Sequence, residues 1–350
     1  MLEKQFIGQI QEFDYSQGAI KLDALDRKIF YLLHKNSRFS YTTIAKALRI
    51  SREVVSYRIQ RMREQGILLE SVTTLDHRKL GLRSYRIYFK FKRVLNEKEL
   101  VTFLYNIPQI TTILTCAGSY DLQVVITVYN EKEFRSVFQQ IAQKYHLFIE
   151  KFEMTEILEQ GLVGTNFLFK KEEITSLYRL LEHKGSSFEK ELRKRKEETN
   201  LLPQLSTQDK NILEIIKLDS TLPIKELALT VGLSPISTQK RIQMMIAQGV
   251  ILQFYTLFSL TKLGLQWWQV LFKFTAVDEK KFITFIEEHP NFIWYTKLFG
   301  KWDYQCSVYA KSNARFHEIM EEFFKEFGDT IMHYDSLVIY NQWKYVQRVF

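Results

Sequence analysis

The chain is written twice, and that repeat limits its fold more than any other feature. Asp26 lines up with Asp209, 183 residues on. The same shift carries Ser37 to Ser220, Ala45 to Ala228, Ser51 to Ser234, Arg58 to Arg241 and Gln65-Gly66 to Gln248-Gly249. Leu80-Gly81 still falls on Leu263-Gly264 without a gap. Gly118 then matches Gly300 and Asp121 matches Asp303 at a shift of 182, so one residue has been lost between. The 350 residues therefore hold two copies of a unit of roughly 150 residues, an ordinary domain size.

Each unit opens with three short helices. Leu22, Leu25, Ile29, Leu32 and Leu33 recur at helical spacing over Leu22 to His34, with acidic residues in the first turn. Ser40 caps a second helix, Thr42 to Leu48, and after a break at Arg49-Ile50, Ser51 caps a third, Arg52 to Gln65. Val55, Ile59 and Met62 are its buried stripe, Gly66 ends it, and Ile67 to Val72 starts a strand. That order predicts a helix-turn-helix followed by a wing. Off the buried stripe, Arg52, Ser56 and Tyr57 sit where a recognition helix reaches base edges, and Arg58, Arg61 and Arg63 where it holds phosphates.

The second copy keeps the scaffold (Leu227, Ala228, Val231, Ser234, Ile242, Met245, Gly249) and places Pro235 at the first helical position, where proline is tolerated. Its outward set is Ser237, Thr238, Gln239, Lys240 and Arg241, and Ser237, Gln239, Lys240 and Arg241 are its candidate DNA contacts. Lys21 to Val72 carries 11 basic and 5 acidic residues, a net +6; Leu205 to Thr256 carries 5 and 4, a net +1. Where phosphate attraction dominates affinity, the first copy grips harder.

The rest of each unit alternates strand and helix. In the first copy these are a strand at Tyr85 to Arg93 with one wet face, a helix at Glu97 to Asn106 and strands at Ile110 to Ala117 and Leu122 to Val128. A helix at Lys132 to Tyr145 and a strand at Phe148 to Leu158 follow. The order βαββαβ predicts a ferredoxin-like antiparallel sheet with both helices on one face. Its bare face needs cover, which the second copy's identical sheet supplies. The expected fold class is thus α+β, with two winged helix-turn-helix domains and two ferredoxin-like βαββαβ (RAM-type) domains in tandem. The expected domains are a tail at 1–20, helix-turn-helix 21–75, ferredoxin-like 80–165, a charged helical connector 166–204, helix-turn-helix 205–258 and ferredoxin-like 262–348.

Composition excludes more than it selects. Lys+Arg 49 against Asp+Glu 40 leaves a charge of +9, compatible with nucleic acid or an anionic surface. Cys116 and Cys306 are too few for a disulfide framework or a four-thiolate metal site. The greasiest run, Ile251 to Phe274, is interrupted by Lys262, Gln266, Gln269 and Lys273, so no membrane span is expected. No secretory signal is expected at the N-terminus either, which points to the cytoplasm. No metal or cofactor is indicated.

With these elements in place the chain closely resembles the Lrp/AsnC (feast/famine) transcription regulators. The resemblance rests on LDALDRKIFYLL, IAKALRISREVVSYRIQRMREQGIL, Leu80-Gly81 and the loop Gly118-Ser119-Tyr120-Asp121-Leu122. In the second copy it rests on TQDKNILEII, LALTVGLSPISTQKRIQMMIAQGVI, Leu263-Gly264 and Gly300-Lys301-Trp302-Asp303. It implies pairing through the ferredoxin-like domains, two helix-turn-helices on double-stranded DNA, and an amino-acid-like effector near the Gly-x-x-Asp loop. By position, Arg58 and Arg241 match the family's basic recognition-helix residue, and Gly118, Asp121, Gly300 and Asp303 its effector-side loop. The covalent duplication departs from the family and implies an intramolecular pseudo-dimer with diverged halves, hence an asymmetric DNA site; further self-association is left open.

The function expected is a sequence-specific DNA-binding transcription regulator, not an enzyme. Two alternatives stand beside it. Siroheme decarboxylases resemble the same family, and their chemistry needs His and Arg lining a large pocket. Here no two of the seven histidines share equivalent positions in the copies. The other alternative is a non-DNA-binding interaction module built on a degenerate helix-turn-helix, which would show no salt-dependent affinity for DNA.

Overall fold

A computed structural model of the chain describes residues 11–12, 18–93, 96–163, 166–169, 173 and 202–349. Most of the expected connector, and most of the N-terminal tail, lie outside the described residues. The chain divides into two compact units that each draw on both copies: one of residues 1–20, 83–168 and 260–346, the other of residues 21–82, 169–259 and 347–350.

The helical unit holds both helix-turn-helices. In the first copy these are α1 (Ala24–Lys35), α2 (Tyr41–Leu48) and α3 (Arg52–Glu64). Asp23 caps α1 through a capping box with Asp26, Ser40 caps α2, and Ser51 caps α3 by accepting from the Val54 amide at 3.3 Å. The turn between α2 and α3 forces residue 49 into the left-handed region. Arg49 adopts φ 58° there, and the second copy places Gly232 at the equivalent position with φ 69°.

The wing strand β2 (Leu68–Leu75) pairs antiparallel with its counterpart β7 (Ile251–Phe258). The register is symmetric: Ser71 faces Thr256, Val72 faces Tyr255 and Thr73 faces Phe254, as a two-fold relation between copies requires. The equivalent serines Ser37 and Ser220 meet at 2.6 Å between their hydroxyls, and Arg38 donates to the carbonyls of Ser220 and Leu222. His34 of α1 bonds through Nδ1 to the Thr256 carbonyl at 3.0 Å. The two heads are one folded body, bonded copy to copy through backbone and buried side chains.

In the other unit each copy contributes a four-stranded sheet. The first is β3 (Arg83–Phe91), β4 (Ile110–Ala117), β5 (Leu122–Val128) and β6 (Ile149–Leu162), carrying α4 (Glu97–Tyr105) and α5 (Glu131–Tyr145). The second is β8 (Gln266–Phe274), β9 (Phe292–Gly300), β10 (Tyr304–Ala310) and β11 (Ile331–Tyr345), carrying α9 (Glu279–Glu288) and α10 (Asn313–Phe327). A two-residue strand β1 (Gln11–Glu12) pairs with β11. Strand order β4-β5-β3-β6 in one copy and β9-β10-β8-β11 in the other is the ferredoxin-like arrangement.

The long fourth strands change sheets midway. The first half of β6 pairs with β3 and its second half with β9 (Thr155 facing Gly300). The first half of β11 pairs with β8 and its second half with β4 (Val338 facing Ala117). Eight strands thereby close into a ring with no free edge between the copies. Side chains alternate across each strand. Tyr85, Ile87 and Phe89 of β3 face the helical core with Leu100, Val137 and Ile141, and Trp268, Val270 and Phe272 do the same in the second copy. Tyr88, Leu114 and Cys116 meet Leu271, Leu298 and Leu337 in a separate cluster between the sheets. The expected wet face of the first strand is corrected here. Arg86 and Tyr88 lie inward and buried, because the second sheet covers that face.

Candidate nucleic-acid interface

The recognition helix of the first copy is positioned by charge as well as by its apolar stripe. Val55, Ile59 and Met62 are buried. One turn apart, Arg58 donates to Asp23 at 2.6 Å and to Asp26 at 2.8 Å, while Arg61 donates to Asp26 at 2.6 Å. Asp26 is 2% exposed, so its charge needs these partners. Burial works against ionisation of Asp23, but the Arg58 guanidinium and the Asp26 and Leu25 amides outweigh it and hold the carboxyl below the usual carboxylate range; Arg58 is shifted up in turn, first through its bond to Asp23.

The second copy repeats the device with one arginine. Arg241 donates to Asp209 and to the Ser206 hydroxyl, each at 2.9 Å. Burial pushes the Asp209 pKa up, yet the bonds from Ser206 and Arg241 bring it below the ordinary value. Arg58 and Arg61, expected at phosphates, and Arg241, expected at DNA, are thus bonded to acidic side chains of their own domain. Their guanidiniums tie the recognition helix to the first helix of its own domain. The signal was in the repeat, since Asp26 and Arg58 recur together as Asp209 and Arg241.

What α3 leaves to solvent is Arg52, Glu53, Val54, Ser56, Tyr57, Gln60, Arg63 and Glu64. Tyr57 is 66% exposed, and the Arg61 guanidinium lies 6.0 Å from the centre of its ring. Gln60 is bonded to Glu64. An aromatic ring, a hydroxyl and two exposed arginines that make no ion pair among the described residues provide base-edge and phosphate chemistry together.

The second copy's helix-turn-helix comprises α6 (Thr207–Ile216), α7 (Ile224–Thr230) and α8 (Pro235–Ala247). Gln239 and Lys240 of α8 are exposed; Ser237 is half-buried, with its amide held by the Ser234 cap. Sequence reading missed how apolar this face is. Leu229 is 84% exposed and Ile236 70%, where the first copy has Lys46 and Glu53, and Met244 replaces Arg61.

The Gly-x-x-Asp loops are occupied by their own chain. Asp121 accepts from Lys90 at 2.7 Å and from the Phe91 amide at 2.9 Å; Asp303 accepts from Lys273 at 2.6 Å and the Phe274 amide at 2.8 Å. Gly118 has φ 133°, and a Cβ there would lie 2.9 Å from the Ser336 carbonyl oxygen; Gly300 has φ 137°, with the Met154 carbonyl at 3.0 Å. These four residues fasten each loop to its own first strand and let it approach the other copy's fourth strand.

Fold and site define a class: a duplicated protein with one unit of paired winged helices and one closed ferredoxin-like ring. Comparison narrows this. Residues 22–63 match the AsnC-type helix-turn-helix domain, and residues 205–251 a winged helix-turn-helix DNA-binding domain. An uncharacterised HTH-type transcriptional regulator of Pyrococcus horikoshii is 27% identical over 156 residues, which is 44% of this chain and 97% of the relative. The regulatory protein AsnC of Haemophilus influenzae is 27% identical over 138 residues, 39% of this chain and 89% of the relative. The crystal structure of the siroheme decarboxylase NirDL shares the fold over 93% of this chain and 94% of that one, with a TM-score of 0.57 at 14% identity. The chain carries an AsnC-type helix-turn-helix and resembles the Lrp/AsnC regulators, whose single unit spans less than half of it. No helix among the described residues is long and apolar enough to cross a membrane.

Proposed function

We propose that the protein is a cytoplasmic, sequence-specific regulator of transcription that binds double-stranded DNA as an intramolecular pseudo-dimer and reads mainly with its first head. The observation that carries the reading is α3. It is locked to α1 by the Asp26 ion pairs yet presents Arg52, Ser56, Tyr57 and Arg63 to solvent. Pre-organisation of this kind places reading side chains without an ordering cost at binding. The closed ring and the paired wings support the pseudo-dimer, since they join the copies without a second chain. Arg58, Arg61 and Arg241 serve the reading helices as positioning residues. An effector at the Gly-x-x-Asp loops draws no support from the geometry, because both oxygens of each aspartate are engaged.

The test is the salt dependence of binding to duplex DNA. A reading head that neutralises phosphates loses affinity with added salt at a slope of roughly −0.9 per contact. Arg63→Ala flattens that slope and Arg52→Ala relaxes the sequence preference; a wild-type slope in Arg63→Ala together with unchanged preference in Arg52→Ala would remove α3 from the DNA.

A second reading has one observation in its favour: the whole two-unit fold is shared with a siroheme decarboxylase. It predicts a haem-like absorption band on titration with an iron tetrapyrrole, retained after gel filtration. Absence of the band removes this second reading.

A further inference from the structure

The layer between the two sheets contains a buried cation, Arg86, that no carboxylate among the described residues pairs with. Arg86 of β3 is 8% exposed. Its side chain lies on the same strand face as Tyr88, whose hydroxyl crosses the layer to donate to Gln305 of the opposite sheet at 2.7 Å. Gln123, facing Tyr88 on β5, shares that surface. In the second sheet Gln269 lies two residues from Leu271, which faces Gln305, so both glutamines line the layer from the other side. Among the described residues no carboxylate forms an ion pair with Arg86, and its Nε has no hydrogen-bond partner. Both polar atoms of Gln123 and the Oε1 of Gln269 are unsatisfied as well.

The two copies differ in this charge. Gln123 and Gln305 are equivalent and identical, but the equivalent of Arg86 is Gln269. At this position one copy holds a neutral amide and the other a guanidinium, while the carboxylate opposite Tyr88 on that face, Glu153, is paired with Lys301. Burial depresses the arginine's pKa; the Tyr88 phenol hydrogen-bonds the guanidinium but, itself pushed up by burial, stays neutral and offers no counter-charge. An unpaired buried charge destabilises a fold unless a partner arrives.

We infer that the inter-sheet layer is a binding site for one small carboxylate that also carries a hydrogen-bond donor. Arg86 and the Gln123 amide take the carboxylate, and the Gln269 carbonyl oxygen takes the donor. The site is distinct from the Gly-x-x-Asp loops, and it does not depend on the DNA reading.

The experiment is a melting-temperature series on the full chain, dialysed free of small anions, against sodium lactate and sodium acetate, with Arg86→Gln measured in the same salts. Arg86→Gln recreates the residue of the other copy, so general salt effects cancel in the comparison. Wild type is expected to melt progressively higher from 1 to 100 mM salt by about the logarithm of concentration, with lactate above acetate because only lactate brings a donor. Arg86→Gln is expected to show neither rise and to melt above wild type in the anion-free buffer. Arg86→Lys, which keeps a charge, retains part of the lactate response. Equal responses in wild type and Arg86→Gln, no response in wild type, or an Arg86→Gln protein that melts lower without anion would each overturn the proposal.

Discussion

Arg58→Ala separates a positioning arginine from one that touches DNA. The substitution removes two charge-assisted bonds, at 2.6 Å to Asp23 and 2.8 Å to Asp26. The Asp23 bond counts for little, because that carboxylate is half exposed. The Asp26 bond counts for more, since it ends on a buried carboxylate, although Arg61 remains on Asp26 at 2.6 Å. Bonds to charged groups contribute about 1.5–3 kcal/mol, and partial solvation of Arg58 with the surviving Arg61 contact puts the loss near about 2 kcal/mol. For a unit of this size that lowers the melting temperature by about 4–8 °C. Urea denaturation and a fluorescence DNA-binding series at several salt concentrations read both effects on one sample. The expected outcome is lost stability with an unchanged salt slope. Arg63→Ala gives the reverse: unchanged stability and a slope flatter by about 0.9. An Arg58→Ala protein of full stability whose slope is flatter would refute the positioning role.

Three further outcomes follow from the same geometry. Burial lowers the pKa of His34 and of His77 to about 4, each below the unfolded value near 6.5, so the unfolded chain binds more protons in that window. Stability is complete above pH 6.5 and falls as pH drops toward 4, by up to about 3 kcal/mol per histidine; a urea midpoint that stays flat from pH 7 to 5 contradicts this. Gly118→Ala sets a Cβ 2.9 Å from the Ser336 carbonyl in a backbone that L residues avoid, and should cost about 1–3 kcal/mol, visible as a lower thermal midpoint. Leu229→Lys restores the first copy's charge at a site 84% exposed. It should leave stability within about 0.5 kcal/mol and steepen the salt slope if the second head docks on phosphate, whereas an unchanged slope removes that position from the DNA.

Much of the fold was legible because the repeat and the periodicity reinforce one another. Ile110–Ala117 and Leu122–Val128 are strands with the expected bounds, since turn residues flank unbroken runs of β-formers. α3 ends where Gly66 stops it. The paired wings were not foreseen, because pairing of β2 with β7 joins residues far apart in the chain and leaves no local trace. The ion pairs of Arg58 leave no trace in helix periodicity for a related reason: its partners, the α1 cap Asp23 and Asp26, stand 35 and 32 residues away. Alternation along YRIYFKF puts Arg86 on the face away from the helices and suggests a wet face, whereas the need to cover a bare sheet with the second copy's sheet predicts its burial, which the structure shows. The apolar face of the second head is carried by Leu229, Ile236 and Met244, which interleave with polar residues and so give no apolar run in the sequence.

The central claim is tested most directly by selecting fragments of duplex DNA with the purified full chain at moderate salt and excess nonspecific competitor. The account expects enrichment of an asymmetric site whose stronger half is lost in an Arg52→Ala/Arg63→Ala variant that remains folded. A folded wild-type protein that enriches no sequence, or one whose enriched site is indifferent to both arginines, would contradict it.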